Sequence, residues 1–158
     1  MDRKKAVRKV GILLAAFLVL SFATPFSTEH IDGKEVIFAS DADVFYTLLA
    51  TPLAFMKSAP LLIFAGDMGN YITSFLSSYG TEKIISVGAH IPCSYPKEEF
   101  VGDITSISFQ IAREFYGGAT KAVVLPHDMA HYNLSLLATQ IPCYEGIPLI
   151  FYEGNPSE

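Results

Sequence analysis

The chain has no tryptophan, only two cysteines, and charged residues at 17% of its 158 positions. Two cysteines, Cys93 and Cys143, permit one disulfide bridge at most, which excludes a disulfide scaffold and any cysteine-rich zinc site. Cations are scarcest of all. Arg3, Lys4, Lys5, Arg8 and Lys9 account for five of the 11 Lys+Arg and Asp2 for one of the 16 Asp+Glu, so residues 24–158 keep six cations against fifteen anions, net −9. A body this acidic has no basic field to hold nucleic acid, which is excluded as a main partner. No Gly-x-Ser-x-Gly elbow occurs, and Gly66-Asp67-Met68-Gly69 is too short for a dinucleotide-binding fingerprint. The sequence names no cofactor and no catalytic set.

Hydrophobic residues make up 51% of the chain, yet the only long apolar run is Val10–Leu20. It follows the five amino-terminal cations and precedes Ser21-Phe22-Ala23, a small-x-small triplet. That order is the pattern of a signal peptide over residues 1–23, and the run is shorter than the roughly 20 residues of a spanning helix. The expectation is export to the cell envelope or beyond, with membrane contact only through this segment if it stays uncleaved as an anchor. Residues 24–33 read as a linker.

Residues 36–67 recur at 124–155, displaced by 88 positions without a gap. Nine of the 32 pairs are identical, including Leu48-Leu49-Ala50-Thr51 over Leu136-Leu137-Ala138-Thr139, and Pro60-Leu61 over Pro148-Leu149. An ungapped match indicates one supersecondary unit used twice. The expected division is a first repeat at 34–102 and a second, truncated repeat at 103–158 in the same domain.

Apolar runs without alternation mark buried strands at 34–39, 60–64, 83–87, 122–125 and 148–152. Between them, Asp43 caps a helix to about Lys57 with Pro52 inside it, Asn70 caps a short helix closed by Gly80, and Asp103 opens a third helix. Residues 89–102 read as a long connection and 130–140 as the repeated helix. Strand and helix alternate throughout, which predicts an α/β fold of three layers, αβα. A mostly parallel five-stranded sheet of Rossmann or flavodoxin type would be built from one full and one truncated repeat. Leu48, Leu49, Leu136 and Leu137 are expected in the core. The last strand has no helix after it, so its apolar faces predict an oligomer or a partner over residues 140–158.

The pattern Val36–Ser40, Pro52-Leu53-Ala54, Ala59-Pro60-Leu61-Leu62 and Ile84-Ile85-Ser86-Val87-Gly88-Ala89, with Gly102-Asp103 and Thr105 opening the connecting helix, resembles the type 2 cell-wall-binding repeats of bacterial surface-layer proteins and their archaeal relatives. The resemblance spans residues 36–153 and has the character of a divergent, archaeal-type member. It implies noncovalent retention on anionic wall polymers, while export, the repeated packing residues and the lack of a catalytic set point to a noncatalytic module bound to a cell-envelope polymer or surface protein. Where the family carries Asp near the start of the first helix, Tyr46 and Leu134 stand here, and its Arg-Tyr pair before the connecting helix is absent.

In an open parallel sheet the functional crevice lies beyond the carboxyl ends of the strands. Ser40, Asp41, Asp67, His90, His127 and Asp128 collect there and are the ligand-binding candidates. They also support a competing reading, a small exported flavodoxin-like ligand-binding protein or enzyme. His127 and His131, four apart, have metal-ligand spacing but no third ligand, so no metal is expected. Asn133-Leu134-Ser135 is a glycosylation sequon on a helix expected to be buried.

Overall fold

The computed structural model describes residues Lys34–Glu153; the expected signal peptide and linker lie outside them. Six strands and five α-helices follow one another: β1 (Glu35–Ser40), α1 (Val44–Met56), β2 (Leu61–Phe64), α2 (Gly69–Tyr79), β3 (Lys83–Val87), β4 (Lys97–Phe100), α3 (Ile104–Phe115), β5 (Val123–Pro126), a 3-10 turn (Met129–His131), α4 (Tyr132–Ala138), α5 (Gln140–Glu145) and β6 (Leu149–Tyr152). All strand pairs are parallel. The α/β class with parallel sheets therefore holds, but a single five-stranded sheet does not form. β1 to β4 make one sheet in the order β2-β1-β3-β4, and β5 and β6 make a second of two strands.

The central strands form where both faces are covered. Side chains alternate across a strand, so Val36 and Phe38 join Ile84 against α2, packing on Leu76 and Met68. Ile37, Ala39, Ile85 and Val87 turn to the opposite face and meet Phe45, Leu49 and Leu53 of α1 and Ile104, Ile107 and Ile111 of α3. Helix α1 starts where Asp43 accepts from the amide of Phe45 at 2.9 Å. It continues through Pro52, with the Thr51 hydroxyl donating to the Thr47 carbonyl at 2.7 Å. Asp103 caps α3 by accepting from Ser106 at 2.8 Å. Helix α2 begins one residue before the expected Asn70, with Met68 as its cap residue, and ends at the left-handed Gly80.

β4 is the strand missed within residues 89–102. It lies at the sheet edge beside β3 and carries Lys97, Glu98 and Glu99, so its sequence has no apolar run. Edge strands hold charge because one side faces water, and here the charges are paired. Glu98 meets Lys83 at 2.7 Å, and Glu99 meets Lys97 at 3.2 Å. β2, expected as buried, is the other edge and leaves Ile63 about half exposed.

The two repeated segments both form β-α-β units with matching bounds, since β2 and β6 start 88 residues apart at Leu61 and Leu149. Their pairing differs. Leu61 lies beside Ile37, whereas Leu149 lies beside Val123 rather than Leu125, the residue 88 places after Ile37. The slip is two residues, which keeps every side chain on its face. The helix differs more: the single 13-residue α1 becomes a 3-10 turn, α4 and α5. As a result Leu48 and Leu49 are buried, but Leu136 and Leu137 are exposed, contrary to expectation.

β6 is not left uncovered. Leu149 and Phe151 pack with α1 and α3 in the main core, and Phe151 donates its amide to Ser108 of α3 at 3.2 Å. The Phe45 ring joins the two sheets, meeting Phe151 edge-on at 5.3 Å and Tyr132 at 5.8 Å. The cysteines are free. Cys93 packs with the Val36 cluster, while Cys143 sits on α5, which reaches the core from the α1 side. The sheet stands between them, so the bridge left open by the sequence does not form. Among the described residues no helix is long and apolar enough to cross a membrane.

Candidate functional site

With strand order β2-β1-β3-β4, the chain leaves β1 toward β2 and returns on the other side as β3. The point where the order reverses therefore lies between β1 and β3, and a ligand crevice is expected beyond their carboxyl ends. Ser40 to Asp43 close one strand there, and Gly88 to His90 close the other. The protein's own Tyr46 fills the space between them. A Cβ built on Gly88 would lie 2.6 Å from two ring carbons of Tyr46, and Gly88 has φ +84°. Only glycine allows the ring this close. The Tyr46 hydroxyl then donates to the Gly102 carbonyl at 3.1 Å, tying α1 to the turn before α3. Burial raises the Tyr46 phenol above its ordinary value, and the nearby charges of Asp43, Asp103 and Glu153 push it the same way.

Beside Tyr46 lies a polar arrangement that links the two β-α-β units. His127 at the end of β5 places Nε2 2.6 Å from Oδ2 of Asp43 and Nδ1 3.2 Å from Oε1 of Glu153. Its ring packs edge-on against Phe45 with centroids 4.8 Å apart. Asp43 uses its other oxygen for the α1 cap. Both imidazole nitrogens thus face carboxylates, on opposite sides of the ring. His131 is bound separately, with Nδ1 2.9 Å from Oδ2 of Asp128. The two histidines share no site, and among the described residues no group of three or more His, Cys, Asp or Glu is placed to hold a metal ion.

The other candidates divide among local tasks. Ser40 is buried and accepts from the amide of Ala42 at 3.2 Å. Asp67 accepts from Gly69 at 3.2 Å, and Asp128 accepts from Ala130 at 2.9 Å, each closing its own turn. Asp41 is exposed, and its amide extends the β1–β2 ladder to the carbonyl of Phe64. His90 projects into solvent and places Nδ1 2.8 Å from Glu99. Glu99 is the hub of that corner, since it also accepts from the amide of Ile91 at 2.7 Å and meets Lys97. Burial pushes the Glu99 carboxyl up, but the bonds from His90, Ile91 and Lys97 outweigh it and hold the group below its ordinary value. Among the side-chain hydrogen bonds of the described residues, none joins two of the six expected ligand residues.

Sequence reasoning missed Asp43 as a partner of His127, Glu153 and Glu99 as anchors, and Tyr46 as the plug. Burial raises the Cys143 thiol above its ordinary value, which keeps the reactive thiolate scarce. The sequon helix is not buried: Asn133 and Leu134 are exposed, while Ser135 is fully enclosed.

No family, curated protein or solved structure matches this chain.

Proposed function

We propose that the chain is a noncatalytic, exported module of the cell envelope, related to the type 2 cell-wall-binding repeats and acting through packing and surface contacts. The observation that carries this reading is the Tyr46 ring seated on Gly88, where a doubly wound parallel sheet ordinarily takes its ligand. Asp43 and Asp128 add support, because their carboxylates go to a helix cap, a turn and the His127 bridge. On this reading the fold is a Rossmann-type frame assembled from one full repeat and one shorter one, with the amino-terminal segment directing export. Its partner is an envelope polymer or a surface protein. The net −9 of residues 24–158 disfavours an anionic polymer held by charge, so uncharged polysaccharide or protein is the better fit.

The test is cosedimentation of the full chain with washed envelopes of the producing cell, at low and high salt. The expected result is retention that persists at high salt and survives Asp41→Ala, Asp67→Ala and His90→Ala together. A chain that stays in the supernatant refutes the envelope reading. Retention lost in the triple variant with the melting curve unchanged restores the crevice as the working site.

A further inference from the structure

Helices α4 and α5, separated only at Thr139, turn the wrong stripe inward. Ser135 at 0% exposure, Thr139 and Cys143 recur every four residues on the enclosed face. Thr139 donates to the Ser135 carbonyl at 2.7 Å and Cys143 to the Thr139 carbonyl at 3.2 Å, while the Ser135 hydroxyl has no hydrogen-bond partner. The large apolar side chains lie outside. Leu137 is 72% exposed and Tyr144 79%, with Leu134, Leu136 and Ile141 also exposed. Phe55 at the end of α1 extends the patch, its ring centroid 6.0 Å from that of Tyr144. A helix against water does the reverse and shows its polar stripe to solvent. Six such side chains, each exposed by about half or more, present on the order of 500 Å² of apolar surface. That is at the upper end of what a soluble monomer leaves open, and more than half the roughly 800 Å² per partner of a standard interface.

Charge selects the occupant. Met129–Tyr144 contains no Lys, Arg, Asp or Glu, while the remainder of residues 34–153 is acidic, with twelve Asp+Glu against six Lys+Arg. An anionic bilayer surface requires flanking cations, which this segment lacks. A strongly charged protein would find nothing here to pair with. A second copy of this chain meets apolar surface with apolar surface, and does so on the stretch where two acidic bodies repel each other least. We propose that the α4–α5 face is a two-fold contact between copies of the chain, with α4 and α5 of one protomer lying across those of its partner and Leu137 close to the axis. A two-fold contact uses the same patch on both sides and closes at two, which suits a face that is uncharged and mostly apolar, with Asn133 and Gln140 the exposed polar residues within it. The proposal stands apart from the envelope reading.

Sedimentation equilibrium of the full chain tests it, comparing the natural protein with Leu137→Glu/Ile141→Glu. Both side chains are exposed, so the double variant should fold with the thermal melt of the natural chain diluted to monomer, while its dimer dissociation constant rises at least ~100-fold, as when the centre of an interface is lost. A second measurement uses oxidation in a Cys93→Ser/Cys143→Ala background. Leu137→Cys should form an intermolecular disulfide, and Ser77→Cys on the far helix α2 should not. The proposal is overturned if the chain is monomeric at about 100 µM. It is also overturned if the double variant associates as the natural chain does, or if a monomeric chain loses only its binding to neutral phosphatidylcholine vesicles.

Discussion

Replacing Gly88 by alanine tests whether Tyr46 holds the top of the sheet closed. Two costs arise at once. A non-glycine residue at φ +84° is strained by about 1–2 kcal/mol. The new methyl group would also sit 2.6–2.8 Å from three carbons of the Tyr46 ring, an overlap that must push the ring aside. Overpacking of this kind costs about 1–3 kcal/mol, so Gly88→Ala should destabilise by about 2–5 kcal/mol. The ring cannot retreat freely, because its hydroxyl is held by the Gly102 carbonyl. Urea denaturation should show a lower midpoint with an unchanged slope. The deciding measurement is the cycle with Tyr46→Ala, in which the alanine at 88 should cost about 1–3 kcal/mol less once the ring is gone. If Gly88→Ala costs the same with and without the ring, the strain is purely of the backbone and Tyr46 does not plug the crevice.

Leu49→Ala should cost about 2–5 kcal/mol in denaturant melts, and Leu137→Ala no more than about 0.5 kcal/mol in dilute monomer, although the two occupy equivalent positions 88 apart. Ser108→Ala removes the acceptor of the buried Phe151 amide and should cost about 1–3 kcal/mol, with faster amide exchange at Phe151 as the readout. Glu99 has a folded-state value below the ordinary 4.5, so its contribution to stability is present above that value and is lost as pH falls through the lowered one. Acid titration of unfolding should therefore show a shallower loss below pH 4.5 in Glu99→Gln than in the natural chain, and equal slopes would refute the Glu99 corner as an anchor.

What the sequence determined by itself is the set of elements whose environment is the same on every side. β1 and β3 are buried on both faces, so Val36-Ile37-Phe38 and Ile84-Ile85 had to be continuous apolar runs. The caps Asp43 and Asp103 were legible because capping is settled within three residues. Tertiary structure decided everything that depends on a neighbour distant in sequence. β4 has no apolar run because an edge strand with paired charges does not need one. Leu48-Leu49 and Leu136-Leu137 sit in identical tetrapeptides, yet the first pair is buried and the second exposed, since the broken second helix presents its other stripe to the core. The His127–Asp43 contact spans 84 residues, and no local pattern encodes it. The position of Tyr46 against Gly88 was not foreseeable, because whether a half-buried ring fills a gap depends on the packing of α1 against Gly88 and on nothing within one helix.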